Sequence, residues 1–239
     1  MIVCEQLSKR YKKQLALDGL DLGFDMGQTV ALVGPNGSGK STFMKLALGF
    51  IRPTSGSIRV LDEDPQGGGH FKYAIGYMPQ AFHCPPNLTV RSLFALMTDL
   101  RKAKKETCDT TLFERFEIDR FYNKPLGALS GGMKQKVNAA LAFYFNPKIY
   151  ILDEPTAGLD PFASEVLKEK IGVERAAGKL IIISSHIFSD LDVLATDVLY
   201  LIDGKLQFYK NVEMLMQETG TNNLGKAFAH VIANHKETV

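Results

Sequence analysis

The run Gly34-Pro35-Asn36-Gly37-Ser38-Gly39-Lys40-Ser41 fits the phosphate-binding pattern G-x-x-x-x-G-K-[ST]. Its glycines let backbone N–H groups turn inward around phosphate oxygens. A helix that starts there adds its N-terminal donors and the positive end of its dipole. Lys40 is the expected cation for the β- and γ-phosphates of a nucleotide; Ser41 is a candidate Mg²⁺ ligand, and Thr42 completes the binding set. A second chemical feature is the apolar run Ile149-Tyr150-Ile151-Leu152, which ends in Asp153 and Glu154. Asp153, at the end of a strand, can bind Mg²⁺ directly or through its water. Strand alternation sends Glu154 to the other face, where it can polarise an attacking water as general base. His186 closes another apolar run, Leu180–Ser185, and is a candidate contact for the γ-phosphate or for that water.

These groups need strands to carry them. Val30–Val33, Tyr73–Met78, Ile149–Leu152 and Leu180–Ile183 are short apolar runs of the kind that form buried parallel strands. Phe43–Gly49 reads as the helix after the phosphate loop, so the pattern is α/β. Val198–Ile202 and Lys205–Tyr209 flank Asp203-Gly204, a tight-hairpin signal. From Val90 to about Asn146 the text is helical. Thr89 is a helix cap there, and Leu93, Leu96, Met97 and Leu100 share one face. Arg101-Lys102-Ala103-Lys104-Lys105 reads as a solvated helix end, and His83-Cys84 before Pro85-Pro86 as a surface turn rather than a copper site. The stretch from Asn211 to Val239 is largely polar and is expected to pack weakly.

Composition sets outer limits. The chain has 239 residues, 45% hydrophobic and 23% charged, which fits a folded chain and not a disordered one. Its net charge of +2 provides no overall field for nucleic acid, and no nucleic-acid partner is expected. No apolar run approaches the ~20 residues of a membrane span, and the start of the sequence lacks a secretory h-region, so a cytosolic location is expected. Cys4, Cys84 and Cys108 form no C-x-x-C pair, which argues against a zinc cluster or a disulfide framework.

Leu129-Ser130-Gly131-Gly132-Met133 resembles the signature of the ABC ATPases. With Tyr11, the phosphate loop, Gln80, Asp153-Glu154, Ala157-Gly158-Leu159-Asp160 and His186, the whole set follows that family's order from about Ile2 to Lys210. The resemblance implies one P-loop ATPase domain over 1–239. Its RecA-like core would span 1–80 and 147–210, with an N-terminal antiparallel β part, a helical subdomain at about 81–146 and a tail at 211–239. It also implies roles: Tyr11 stacks on adenine, Gln80 senses Mg²⁺ and water, and Ser130, Gly131 and Gly132 donate to the γ-phosphate held by a second copy. Asp160 would lie at the seam of that head-to-tail, ATP-sandwich dimer. Met133 departs from the family, which often has Gln there. The function implied is an ATP-hydrolysing motor for separate integral membrane permease subunits, on the inner face of the membrane. Ile75–Gln80, Asn87–Val90 and Met97–Arg101 look most like the ATPase subunit of the nitrous-oxide-reductase (Nos) maturation transporter, a copper-related system with a periplasmic accessory protein. The competing readings are a soluble ABC ATPase of translation or DNA repair, an exporter subunit with another cargo, and a non-catalytic nucleotide-gated scaffold.

Overall fold

The computed structural model describes residues 1–236; positions 237–239 of the expected tail lie outside the described residues. Ile2–Tyr11 (β1), Gln14–Phe24 (β2) and Ser55–Val60 (β4) form an antiparallel sheet in the order β2-β1-β4. A six-stranded sheet runs Ile75–Met78 (β5), Ile149–Asp153 (β6), Leu180–Ser184 (β7), Thr29–Val33 (β3), Asp197–Ile202 (β8) and Lys205–Asn211 (β9), neighbour to neighbour in that order. Its pairings are parallel apart from β8 with β9. That hairpin turns at Asp203-Gly204, where both residues take the positive φ that a tight turn requires.

Alternation along the buried strands divides the interior in two. Val30, Leu32, Ile149, Ile151 and Ile182 point into a core shared with the antiparallel sheet and with the helix Lys40–Ala47 (α1). Ala31, Val33, Tyr150, Leu152 and Ile183 point the other way. On that side lie Val90–Arg101 (α2), Thr111–Arg115 (α3), Gly131–Tyr144 (α4), Pro161–Ala176 (α5), Phe188–Leu194 (α6), Val212–Thr219 (α7) and Leu224–Lys236 (α8). The stretch between β5 and β6 holds α2, α3, α4 and short 3₁₀ turns. It is fastened to the core through α5: Lys170 is buried between Asp109, ahead of α3, and Glu174, and Arg115 pairs with Glu169.

Several expectations are corrected. Tyr73 and Ala74 belong to a 3₁₀ turn over His70–Ala74, so the strand starts at Ile75. The helix of the phosphate loop starts at Lys40 and ends at Ala47, with Gly49 beyond it at positive φ. Thr89 does cap α2, accepting from the Ser92 N–H at 3.1 Å, but the buried face is Val90, Leu93, Phe94 and Thr98, while Leu96 and Leu100 are exposed. Arg101 is not solvated like Lys102. Its guanidinium donates to the Tyr73 and Ile75 carbonyls, each at 3.0 Å, and lies over the Phe145 ring.

The tail is packed. Asn211 caps α7, whose Val212 and Leu215 are buried, and α8 buries Leu224, Ala227 and Phe228. Polar spacing hid this, because a few apolar residues at helical intervals carry the contact. Phe228 meets Tyr200, Phe208 and Phe188, with ring centroids 4.5, 5.9 and 5.2 Å away. Phe228→Ala should therefore destabilise the whole chain by about 3 kcal/mol, the scale of a buried Phe-to-Ala change. Urea unfolding measures it; an unchanged midpoint would mean the tail does not belong to the core.

Candidate functional site

Strands β6, β7 and β3 are neighbours and parallel, so their C-terminal ends open on the same edge of the sheet. In such sheets the crevice beyond those ends is where ligands sit. The loops after β3, β6 and β7 here border an open cavity of about 320 Å³. Lining it are Tyr11, Asn36, Gly37, Ser38, Gly39, Lys40, Ser41, Thr42, Gln80, Asp153, Glu154 and His186, all anticipated from the sequence, together with Gln14 and Ala16 of β2. Gly34 and Pro35 form the entry to the loop and do not line the cavity.

The loop after β3 is shaped by close approach. Gly39 has φ +108°, and a Cβ there would stand 2.6 Å from the Ala16 carbonyl oxygen. At Gly34 a Cβ would stand 2.3 Å from the Leu201 carbonyl oxygen. Only glycine fits either position, and the result is a cradle backed by β2 and β8. Lys40 bends over it, donating to the Gly34 and Pro35 carbonyl oxygens at 2.6 and 3.0 Å. Burial lowers the Lys40 ammonium below its ordinary value; Glu154 and Asp153 oppose that shift. A phosphate chain fits the donors here: the Lys40 ammonium, the N–H groups of the glycine cradle and the first hydroxyls of α1. For Mg²⁺ the fitting groups are the oxygens of Ser41, Asp153 and Gln80, few enough to leave room for phosphate and water ligands.

The carboxylates are held by β7. Ser184 Oγ donates to Asp153 Oδ1 at 2.5 Å, and the Glu154 N–H donates to the Ser184 carbonyl and hydroxyl oxygens, both at 3.1 Å. Glu154 does not follow the strand alternation expected of it. The strand ends at Asp153, and Glu154 takes φ +51°, a left-handed conformation that aims its buried side chain across to the next loop. There Glu154 Oε1 lies 3.2 Å from His186 Nε2, and the His186 N–H donates to Oε2 at 3.4 Å. Sequence reading missed Ser184; a hydroxyl beside a strand-end carboxylate is visible only once β6 and β7 are paired.

Other anticipated residues lie elsewhere. Ser130 caps α4, accepting from the Met133 N–H at 3.3 Å, with Gly131 and Gly132 in its first turn. Asp160 caps α5, accepting from the Ala163 N–H, and pairs with Lys136 of α4 at 2.8 Å. None of these four lines the cavity of its own chain. Tyr11, exposed at the end of β1, stands at the cavity's rim with Lys9 Nζ 5.2 Å from its ring centre.

Gly39→Ala should collapse the cradle. The strained φ alone costs at least about 1–2 kcal/mol, and the methyl collides with the β2 backbone. Binding of a fluorescent ATP analogue should be lost; unchanged affinity would dissociate the loop's shape from binding.

Comparison with known proteins agrees with this geometry. Residues 17–157 match the ABC transporter family. The chain is 31% identical over 236 residues to the lantibiotic transport ATP-binding protein SrtF of Streptococcus pyogenes, which covers 99% of each. It is 33% identical over 205 residues to the Nod factor export ATP-binding protein I of Burkholderia thailandensis, covering 84% of this chain and 67% of the relative. An ATP-binding subunit of an ABC transporter superposes with a TM-score of 0.89 at 26% identity, over 97% of this chain and 99% of that one. A bacterial ABC transporter cassette solved as a dimer superposes at 0.76 with 25% identity, over 88% and 98%. With the phosphate loop, the paired carboxylates and the signature in one fold, the chain belongs to the ABC transporter family of ATP-binding proteins.

Proposed function

We propose that this chain is the ATP-hydrolysing motor of a transporter, working as two head-to-tail copies beneath separate membrane permease subunits. Lys40 binds the β- and γ-phosphates, the loop N–H groups cradle them, and Tyr11 stacks on adenine. Bound Mg²⁺, held by Ser41, Asp153 and Gln80, would neutralise phosphate charge. Glu154 accepts the proton of the water that attacks the γ-phosphorus while the bond to the ADP oxygen breaks. His186 steadies that carboxylate. The observation that carries the reading is the 3.2 Å contact of Glu154 with His186 at the rim of the cavity that holds Lys40. A non-catalytic scaffold would need neither.

Ser130, Gly131 and Gly132 lie outside their own chain's cavity, which supports a composite site in which a second copy supplies the signature. A helix N-terminus of small residues can bring N–H donors close to an anion. Met133 leaves the cap to the Ser130 hydroxyl and its own N–H, so a Gln is not required for that bond. Among the described residues no helix is long and apolar enough to cross a membrane; the proposed place of the chain is against a permease on the cytoplasmic face. We assign the permease contact to an apolar depression of about 250 Å³ edged by Phe50, Tyr77, Met97 and Phe145. From there β5 leads directly to Gln80. Relatives named for Nod factor export, lantibiotic transport and multidrug transport favour an exporter. The narrower Nos assignment, with its copper-linked role and periplasmic accessory protein, rests on the text of β5, the loop before α2 and α2 itself; those relatives' names lend it no support.

Glu154→Gln keeps shape and loses the base. It should bind ATP within about twofold of the parent and release phosphate at least ~100-fold more slowly, the scale of general base catalysis. With ATP it should run as a dimer on size exclusion. Ordinary phosphate release would take Glu154 out of the reaction.

A further inference from the structure

Beyond the cavity, one buried carboxylate joins the segments that follow β6 and β7 to helix α5. Asp190 lies on α6, whose first residue, Phe188, follows His186 by two positions with an extended Ile187 between them. Its Oδ2 accepts from the Thr156 hydroxyl at 2.8 Å, and its Oδ1 from Lys168 Nζ at 3.2 Å. Thr156 is two residues past Glu154, and Lys168 lies on α5, the helix capped by Asp160. Thr156 and Asp190 are both buried.

The connection closes a ring. From Glu154 the chain passes through Pro155 to Thr156, crosses to Asp190, returns through the first residues of α6 and the extended Ile187 to His186, and meets Glu154 again at 3.2 Å. The Ser184 bonds fix the near side of this ring, and Asp190 fixes the far side. Helix α6 is itself held from outside. Asp192 accepts from the Leu224 N–H and the Asn223 amide at the start of α8, and Phe188 packs on Phe228. A helix gripped on two sides anchors the short Ile187 connection that carries His186. Glu154 needs one, because its left-handed backbone persists only where the surroundings over-determine it.

We infer that Asp190, through Thr156, is a positioning residue that sets the Glu154–His186 geometry and ties it to α5 and the Asp160 loop. The inference rests on the proposed role of Glu154 in hydrolysis. It assigns a task to a pair that does not line the cavity. A pair that merely satisfies buried polar atoms would affect stability alone. A positioning pair affects turnover without affecting binding.

Thr156→Val keeps the shape and removes the hydroxyl; Thr156→Ser keeps the hydroxyl. Steady-state phosphate release and equilibrium ATP binding are measured for both, beside Glu154→Gln and the parent. The expected result for Thr156→Val is a fall of tenfold or more in kcat with KM and ATP affinity within twofold, and an ATP-trapped dimer like that of Glu154→Gln. Thr156→Ser should keep at least half of the parent kcat. Asp190→Glu retains charge and acceptor but moves the carboxylate out by one methylene, and it too should lose kcat with KM unchanged. It decides the matter if Thr156→Val does not fold. Turnover within twofold of the parent in the deciding variant, or a loss shared equally by binding, would overturn the inference. So would a Thr156→Ser as slow as Thr156→Val. If Glu154→Gln itself turned over normally, the fault would lie with the reading of the hydrolytic site instead.

Discussion

Three neighbouring parallel strands end on one edge of a sheet, and nearly all the proposed chemistry depends on that register. The ladder pairs Asp153 with Ser184 and Leu32 with Ser184 on the other side, so the loops after β6, β7 and β3 leave the sheet at almost the same height. Lys40, the two carboxylates and His186 are thereby brought to one cavity although they lie far apart in sequence. A slip of one residue in β6 would exchange its two faces and move Tyr150 and Leu152 into the opposite core. The burial of all five residues of β3 and of β7 makes such a slip costly.

The backbone supplies the remaining precision. Gly39 and Gly34 let the phosphate loop approach β2 and β8 more closely than any side chain would permit. Glu154 turns left-handed immediately after its strand, and this, rather than alternation, directs its carboxylate to His186. The sheet thus fixes the height of each group, and local backbone geometry fixes its aim.

Much of this was legible in the sequence, since local spacing carries it. The glycine-lysine loop, the strand ending at Asp153 and the hairpin at Asp203-Gly204 are each contiguous, and each forms where its text placed it, while Glu154 leaves the alternation expected of it. What escaped depends on partners distant in sequence. Ser184 gains meaning only beside Asp153, Asp190 only beside Thr156, and Arg101 only where the carbonyls of Tyr73 and Ile75 come within reach. The tail misled because its apolar residues are sparse, yet Phe228 finds a cluster of rings on β8, β9 and α6.

The cavity holds the phosphate loop and the carboxylates, while Ser130 caps a helix that does not reach it. A self-complementary two-fold dimer would supply each cavity with the other copy's signature and make two equivalent sites from one interface. Mixing Lys40→Ala with Ser130→Arg tests this most directly. Each variant alone has two broken sites. In the mixed dimer both lesions fall in one site and the other is intact. Phosphate release, followed as one inactive variant is titrated into the other, should reappear and peak near equal amounts. No recovery from a mixture shown to contain heterodimers would contradict the composite site.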